Sequence, residues 1–517
     1  VESGLSAENM EEKSPEREVE PSTEQRKQSI DLKRTQGVVN ASNMINSADQ
    51  ALYPFLLSSI QASTGISLPN LGLISTAQGL TQSISTPVWG WLNDRHSRKK
   101  VLAFGCVFWG FFTILFAFSS LFITMIVYRL IMGFGLAVIV PTSQSIIADY
   151  FPAEKRGAAF GLLSLMAIFG IAFGLISAIV LVEFPPLIGN FDNWRLVFII
   201  WGIISIVIAM FVLLLAKDPV RGAVDIGFTG SQSHKMKLSD FKTILSNKTF
   251  VCIVAQGVSG TIPWAAIYLM PSWFEYLGFT PADAGIFFLL IIAAAGIGSL
   301  FGGWLGDRAA KWNPNKGRIM VAQISVAIGI PMAWVIFYAI PPVTSSFSLY
   351  LIAGIFTYFC VTWAGTACNN PIFSEIFVPE IRGSAFSVDR VFEGGVASVG
   401  TYFVSLVATA FGFLTPNAIT DAGAKIPYTQ YLTPNQYSPN LMATNSAALA
   451  HGMFWIIFPF WILCLLIYTL VYRFYPTDFQ KNKQFLEERA REEQLQKKSE
   501  IPAAVTTPDN PSDPEGT

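Results

Sequence analysis

The chain has 517 residues, of which 52% are hydrophobic and only 13% charged, with a mean hydropathy of +0.47 and a formal net charge of −1. That profile excludes an ordinary soluble domain. With balanced charge and no basic tract interleaved with aromatics, nucleic-acid binding has no support. The charges crowd residues 1–36 and 473–517 and a few short gaps, leaving apolar runs long enough to cross a bilayer.

In chain order, residues 1–37 form a hydrophilic stretch without the apolar core of a signal peptide, expected to be a disordered cytoplasmic tail. Twelve apolar runs follow, predicted as transmembrane helices. The first six, 38–62, 70–92, 101–120, 122–147, 158–182 and 196–216, make an N-terminal half over 38–216. A hydrophilic linker, 217–248, separates them from 249–274, 283–304, 317–340, 347–371, 384–411 and 447–472, a C-terminal half over 249–472. A long external loop is expected at 412–446, and a charged cytoplasmic tail at 473–517. The expected fold class is therefore an all-α membrane protein of two pseudo-symmetric six-helix bundles.

Sidedness follows from the basic residues. Arg95, Arg98, Lys99, Lys100, Lys155, Arg156, Arg308, Lys311, Lys316, Arg318 and Arg382 fall in gaps on one side, whereas the other side holds little beyond Arg195 and Lys425. The positive-inside rule then puts both termini in the cytoplasm. The five cysteines lie in apolar runs without CxxC spacing and read as buried thiols. The three histidines form no cluster, so no metal or cofactor is expected.

Two internal echoes mark a duplication. Gly90-Trp91-Leu92-Asn93-Asp94-Arg95 returns as Gly303-Trp304-Leu305-Gly306-Asp307-Arg308, and Glu154-Lys155-Arg156-Gly157 returns as Glu380-Ile381-Arg382-Gly383. Each hexapeptide ends the second span of its half. Parallel repeats of this kind build carriers that rock about a shared site. Gly90 is expected to permit close helix approach, Asp94 to face a helix N-terminus, and Arg95 and Arg98 to meet carboxylates across the half interface. Gly303, Asp307 and Arg308 should repeat that gate in the second half.

Ionisable groups inside a membrane are costly and mark function. Asn46, Asp49 and Tyr53 share one face of the first span, expected to line the central cavity. Asp49 is either a proton or substrate-cation site or the structural partner of Arg129 in the fourth span. Arg129 either binds an anionic head group or forms a fixed salt bridge. In the eleventh span, Arg390 and Glu393 are expected to pair, leaving Asp389 free for another cation, as a gate latch.

The spacing Gly90…Asp94-Arg95…Arg98-Lys99 resembles the signature loop of the major facilitator superfamily. Within it the chain resembles the Spinster family, through Asn46…Asp49, Asp94-Arg95-His96-Ser97-Arg98-Lys99, Arg129…Gly133-Phe134-Gly135, Ala148-Asp149-Tyr150-Phe151 and Asp218-Pro219-Val220-Arg221-Gly222-Ala223. The resemblance implies that Asp49 and Arg129 handle substrate and protons, and that the first, fourth, seventh and tenth spans line the cavity. Gln256, Tyr268, Thr362 and Asn369 become cavity candidates on that ground. The chain departs from the family at Gln50, where the pattern has Arg, and at Leu136, where it has Glu.

The expected function is secondary active transport by alternating access, proton-coupled or not, of an amphiphilic or organic-anion solute such as a lysolipid or sphingoid phosphate. The alternatives are a facilitator-type carrier of small carboxylates and a non-transporting receptor or scaffold. The expected partners are the lipid bilayer and a small-molecule or lipid-like substrate, with the chain acting as a monomer.

Overall fold

A bilayer leaves backbone amides no partner but one another, so long apolar runs fold as helices. The computed structural model describes residues 23–151, 153–183, 191–218, 238–414 and 439–500, and the regular elements among them are helical. The N-terminal half comprises α1 (Thr23–Thr64), α2 (Leu68–Arg95), α3 (Arg98–Ala117), α4 (Phe122–Leu136), α5 (Ile139–Tyr150), α6 (Ala153–Glu183) and α7 (Asn193–Leu215). A short α8 (Leu238–Ser246) precedes the C-terminal half. That half comprises α9 (Lys248–Ile267), α10 (Met270–Tyr276), α11 (Pro281–Trp312), α12 (Gly317–Trp334), α13 (Phe347–Val361), α14 (Asn370–Ile376), α15 (Pro379–Ala410) and α16 (Pro439–Glu500).

Among the described residues, nine spans are long and apolar enough to cross a membrane. The helices α1 and α2 fall short because polar side chains interrupt them, and α6 shows a shorter apolar stretch, Leu165–Leu181. Helix runs into both expected tails. The first helix starts at Thr23, inside the expected tail, and α16 runs on to Glu500.

Three rods are broken, the seventh of them where Pro263 and Pro271 predict a kink. The fourth is divided between α4 and α5, and the seventh breaks at Tyr268–Leu269, between Pro263 and Pro271. The tenth changes to wider π-helical turns over Gly365–Asn369 before α14. In each case the segments stay stacked, so the break redirects a helix without ending the span.

The duplication is visible in the packing. In the first half α1 packs on α6, α3 on α7 and α2 on α4; in the second α9 packs on α15, α12 on α16 and α11 on α13. Glycines set several of these approaches. A Cβ at Gly170 would lie 2.2 Å from the Met44 carbonyl oxygen, and one at Gly174 2.8 Å from that of Ala48. These two glycines therefore let α6 ride directly on the α1 backbone beside Asp49.

The halves meet along a seam of small residues between α2 and α15. Thr76 Oγ1 donates to the Ser398 carbonyl at 2.7 Å, and Cβ atoms at Gly72 and Gly79 would lie 2.7 Å from Ser405 Oγ and Ser398 Cβ. The same end is closed by Gly285 of α11 against Ile179 of α6, and by Phe55 of α1 edge-on to Phe288 at 5.0 Å. Toward the end that carries the basic loops the seam comes apart, since a Cβ at Gly90 would meet nothing within 4 Å. The main partners of α5 belong to the first half and those of α14 to the second. Among the described residues the halves are thus joined at one end and parted at Gly90 toward the basic end.

Candidate functional site

Gly133 places the centre of the N-terminal half. With no Cβ, which would sit 2.3 Å from the Gln78 carbonyl oxygen, it lets α4 lie on α2. Arg129, one turn earlier, then reaches the Gln78 side chain. The Gln78 amide donates to Asp49 Oδ2, and its carbonyl accepts from Arg129 Nη1. Arg129 Nη1 stands 3.9 Å from Asp49 Oδ2, so the glutamine links two charges that do not quite touch. One turn along, Gln82 Nε2 donates to Asn46 Oδ1 at 3.1 Å.

Asp49 and Arg129 are each only 1% exposed. The guanidinium carbon lies 4.3 Å from the Tyr53 ring centre, 4.6 Å from that of Phe116 and 5.3 Å from that of Phe198. Cation–π contact of this kind stabilises a desolvated guanidinium. Arg129 Nε and Nη2, and Asp49 Oδ1, have no hydrogen-bond partner. An intact charge pair with spare buried donors and acceptors is a centre with unused binding capacity.

Asn46, Asp49 and Tyr53 share a face as expected, but that face is turned into its own half and does not line an open cavity. The reason is α2, whose Gln78 and Gln82 supply polar partners, while Tyr53 donates its hydroxyl to the Leu71 carbonyl at 2.9 Å. Gln78 and Gln82 are the residues that sequence reasoning missed. Their i, i+4 spacing in an apolar run was the available signal. Leu136, at the position of the family acid, is fully buried in the apolar core.

In the second half, Tyr268 at the break between α9 and α10 is 41% exposed, beside Tyr358, which stacks edge-on to Trp264 at 5.5 Å. Gln256 is enclosed, donating to the Ile253 carbonyl and accepting from Cys464 Sγ. Thr362 Oγ1 donates to the Ala295 carbonyl of α11 at 3.2 Å, and Asn369 Oδ1 accepts from the Tyr468 hydroxyl at 2.9 Å. The last three side chains serve helix packing in this state.

The gate residues pair within their halves. Arg98 meets Asp149 of α5 and the Ser145 carbonyl, because the first turn of α3 abuts the last turns of α5. The expected pairing across the halves is therefore replaced, for Arg98, by one inside the first half. Its counterpart is Arg318 on α12, which holds Asp307 at 2.9 Å and Glu375 of α14 at 3.2 Å. Arg95 stacks over Trp91 at 4.2 Å, and Arg308 over Trp304 at 6.0 Å. The side chains of Asp94, Arg156 and Arg382 lie outside the described residues. Gly90 and Gly303 make no close contact here. In α11 the tight packing falls on Gly298, Gly302 and Gly306 against Phe359, Trp363 and Ala367.

The α15 cluster also differs from expectation. Among the described residues no ion pair joins Glu393 to Arg390, which is exposed. A Cβ at Gly257 would fall 1.7 Å from Glu393 Oε1, so the missing side chain on α9 forms the recess that draws the carboxyl away from Arg390.

Two matched helical bundles, closed together at one end and holding buried charge at their centres, have the build of a membrane carrier. Residues 39–401 match the Major Facilitator Superfamily, and the chain belongs to that family. It is a multi-pass membrane transporter and not an enzyme. It is 24% identical over 384 residues to Protein spinster homolog 1 of Xenopus tropicalis, covering 71% of each chain. It is also 24% identical over 390 residues to the probable galactarate/D-glucarate transporter GarP of Escherichia coli (strain K12), covering 70% of this chain and 84% of that one. A crystal structure of a bacterial homologue of the human lysosomal transporter Spinster, inward-facing and unoccupied, shares the fold. Its TM-score is 0.72 at 19% identity, over 87% of this chain and 98% of that one.

Proposed function

We propose that the chain is a proton-coupled secondary transporter of an amphiphilic or organic-anion solute, such as a lysolipid or sphingoid phosphate, working by alternating access. The observation that carries this reading is a repeated stripe. On α2, Gly72 touches α15 and Ser83 touches Gly394, whereas Gly90 is free. On α11, Gly285 touches α6, Gly296 lies 3.9 Å from Ile168, and Gly303 makes only ordinary contact. In both helices the closed and open glycines are 18 residues apart, about five turns, so they lie on one face. Each helix thus carries one small residue for the present closure and another, in the gate motif, for closure at the basic end.

The exposed aromatic Tyr268 beside Tyr358 and Trp264 offers apolar surface for an amphiphile. Asp49 is the coupling acid. Its protonation weakens the hold on Gln78 and Arg129 and lets α1, α2 and α4 shift together. By the charge asymmetry, the open end faces the cytoplasm. The protein works as a monomer, since each stripe finds its partner within the chain.

A second reading, transport of small carboxylates, is favoured by the equal identity to the sugar-acid transporter. The test is uptake into proteoliposomes of a lysophospholipid, a sphingoid phosphate and galactarate, with and without an inward proton gradient. Gradient-driven uptake of a lipid, lost in Asp49→Asn, supports the first reading. Uptake of galactarate alone overturns it in favour of the second. Disulfide trapping checks the motion: Thr76→Cys with Ser398→Cys should lock the present state, and Thr86→Cys with Val391→Cys the opposite one.

A further inference from the structure

We infer that a polar stripe along α2 carries the coupling proton between Asp49 and the basic end, through the interior of the N-terminal half. The inference deepens the coupling role given to Asp49 above and rests on it. Gln78, Gln82, Ser85, Trp89 and Asn93 follow one another at steps of three or four residues, so they lie on one face of α2. That face is turned inward: Gln82 is half-buried and the other four are buried.

The stripe begins at the charge pair, where Gln78 donates to Asp49 and Gln82 to Asn46. At its far end Asn93, inside the gate motif, donates to Thr142 Oγ1 of α5 at 2.7 Å. Between them the Trp89 indole N–H donates to the Phe134 carbonyl at 2.7 Å, just before the break between α4 and α5. On the same side of Asp49, α1 adds buried Asn43 and Asn40, and α5 adds buried Ser143. Asn40 Oδ1 and Ser143 Oγ have no hydrogen-bond partner. Buried polar atoms left over in this way are the ones that hold internal water.

The second half shows that the fold does not need such a stripe. In the register that pairs Gly72 with Gly285 and Gly90 with Gly303, the five positions on α11 hold Ile291, Ala295, Gly298, Gly302 and Gly306. The three glycines there let α11 lie directly on the tenth span. Their Cβ atoms would fall 2.1 Å from the Phe359 carbonyl oxygen, 2.6 Å from Trp363 Cβ and 2.7 Å from Ala367 Cα. The first half forgoes that packing for polar side chains, which are costly inside a membrane and mark function there.

The route has one direction. Tyr53, Phe116 and Phe198 close over Arg129 on the side of the joined end, Tyr53 beyond Asp49 on α1 and Phe116 in the last turn of α3. Among the described residues the charged group that meets Asp49 is Arg129, with the Tyr53 ring behind it. The polar groups of the stripe all lie on the other side, toward the gate motif. In the present state Asp49 therefore exchanges its proton with the basic side through water held along the stripe. The amides and hydroxyls orient that water and are not themselves ionised. One proton joins the water chain at the basic end as another leaves it for the Asp49 carboxylate.

Infrared hydrogen–deuterium exchange at the Asp49 carboxyl tests the route, in full-length protein in lipid with the seam locked by Thr76→Cys and Ser398→Cys. The C=O band of the protonated acid is assigned by its loss in Asp49→Asn. Locked protein should still exchange, since the route needs no rocking. Ser85→Val and Asn93→Leu should slow the exchange about tenfold, the rate equivalent of one lost hydrogen bond, with the band undiminished. Unchanged rates in both variants overturn the route, as does exchange that stops on locking. An Asp49 band absent even at acid pH overturns the coupling role and the route with it, so the two failures are told apart. If one variant does not match the wild type on size exclusion, the other decides.

Discussion

In the N-terminal half, buried Asp49 faces a cation, Arg129, through the Gln78 amide, with three aromatic rings closing over the guanidinium. In the C-terminal half, Asp389 and Glu393 stand one turn apart on α15, and the neighbouring Arg390 is exposed. The helical frames match pair for pair, yet their contents are unlike. The duplicated scaffold supplies the motion, and the asymmetric filling supplies the chemistry.

The largest effect is expected at the ion pair. Arg129→Ala leaves a buried carboxylate without its cation, a change that costs about 3–5 kcal/mol. Thermal unfolding in detergent should show a deep fall in midpoint. A variant as stable as wild type would mean that the two halves do not differ as described.

Gly133→Ala comes next. Its new Cβ meets α2 backbone, and overpacking of that kind costs about 1–3 kcal/mol. It should separate Gln78 from Arg129, measurable as reduced uptake even in protein that remains folded. Gln78→Leu probes the same centre from the other side, leaving buried polar groups unsatisfied at about 1–3 kcal/mol. Gln78→Glu should not rescue it, because a second acid cannot donate to Asp49 when ionised.

Glu393→Gln is the contrasting case. An amide of nearly the same shape fills the recess at Gly257, and no ion pair among the described residues is lost, so the melting midpoint should move by less than about 1 kcal/mol equivalent. A collapse in stability there would show that the C-terminal acids need their charge for folding. The smallest effect is expected for Thr362→Val, which removes one interhelical hydrogen bond of about 0.6 kcal/mol. Uptake kinetics should be unchanged, and a large rise in KM would return Thr362 to the substrate path.

The hexapeptide echo and the apolar runs made the duplicated fold legible, because hydrophobic length and motif register are local properties. The break in the seventh rod was signalled by Pro263 and Pro271, whereas in the fourth and tenth Pro141 and Pro371 stand just after the breaks without fixing where they fall. Asp49 and Arg129 stood out as charges in apolar sequence. Their bridge was signalled only by the i, i+4 spacing of Gln78 and Gln82 in an apolar run, which does not say which charges the glutamines join. Along α15, helical spacing pointed Glu393 at Arg390. The carboxyl instead enters the recess left by Gly257, a residue well over a hundred positions away that contributes only an absence.

The seam between α2 and α15 has a thermodynamic consequence. Among the described residues every ion pair stays within one half, and beyond the Thr76–Ser398 hydrogen bond the halves are held by glycine, serine, threonine and phenylalanine surfaces. Dispersion contacts are individually a fraction of thermal energy and fade within an ångström or two of separation. Nor does dissolved salt screen them as it screens exposed charges. A latch built this way releases in small increments with no single tall barrier, which suits a machine that must leave each pose as readily as it enters.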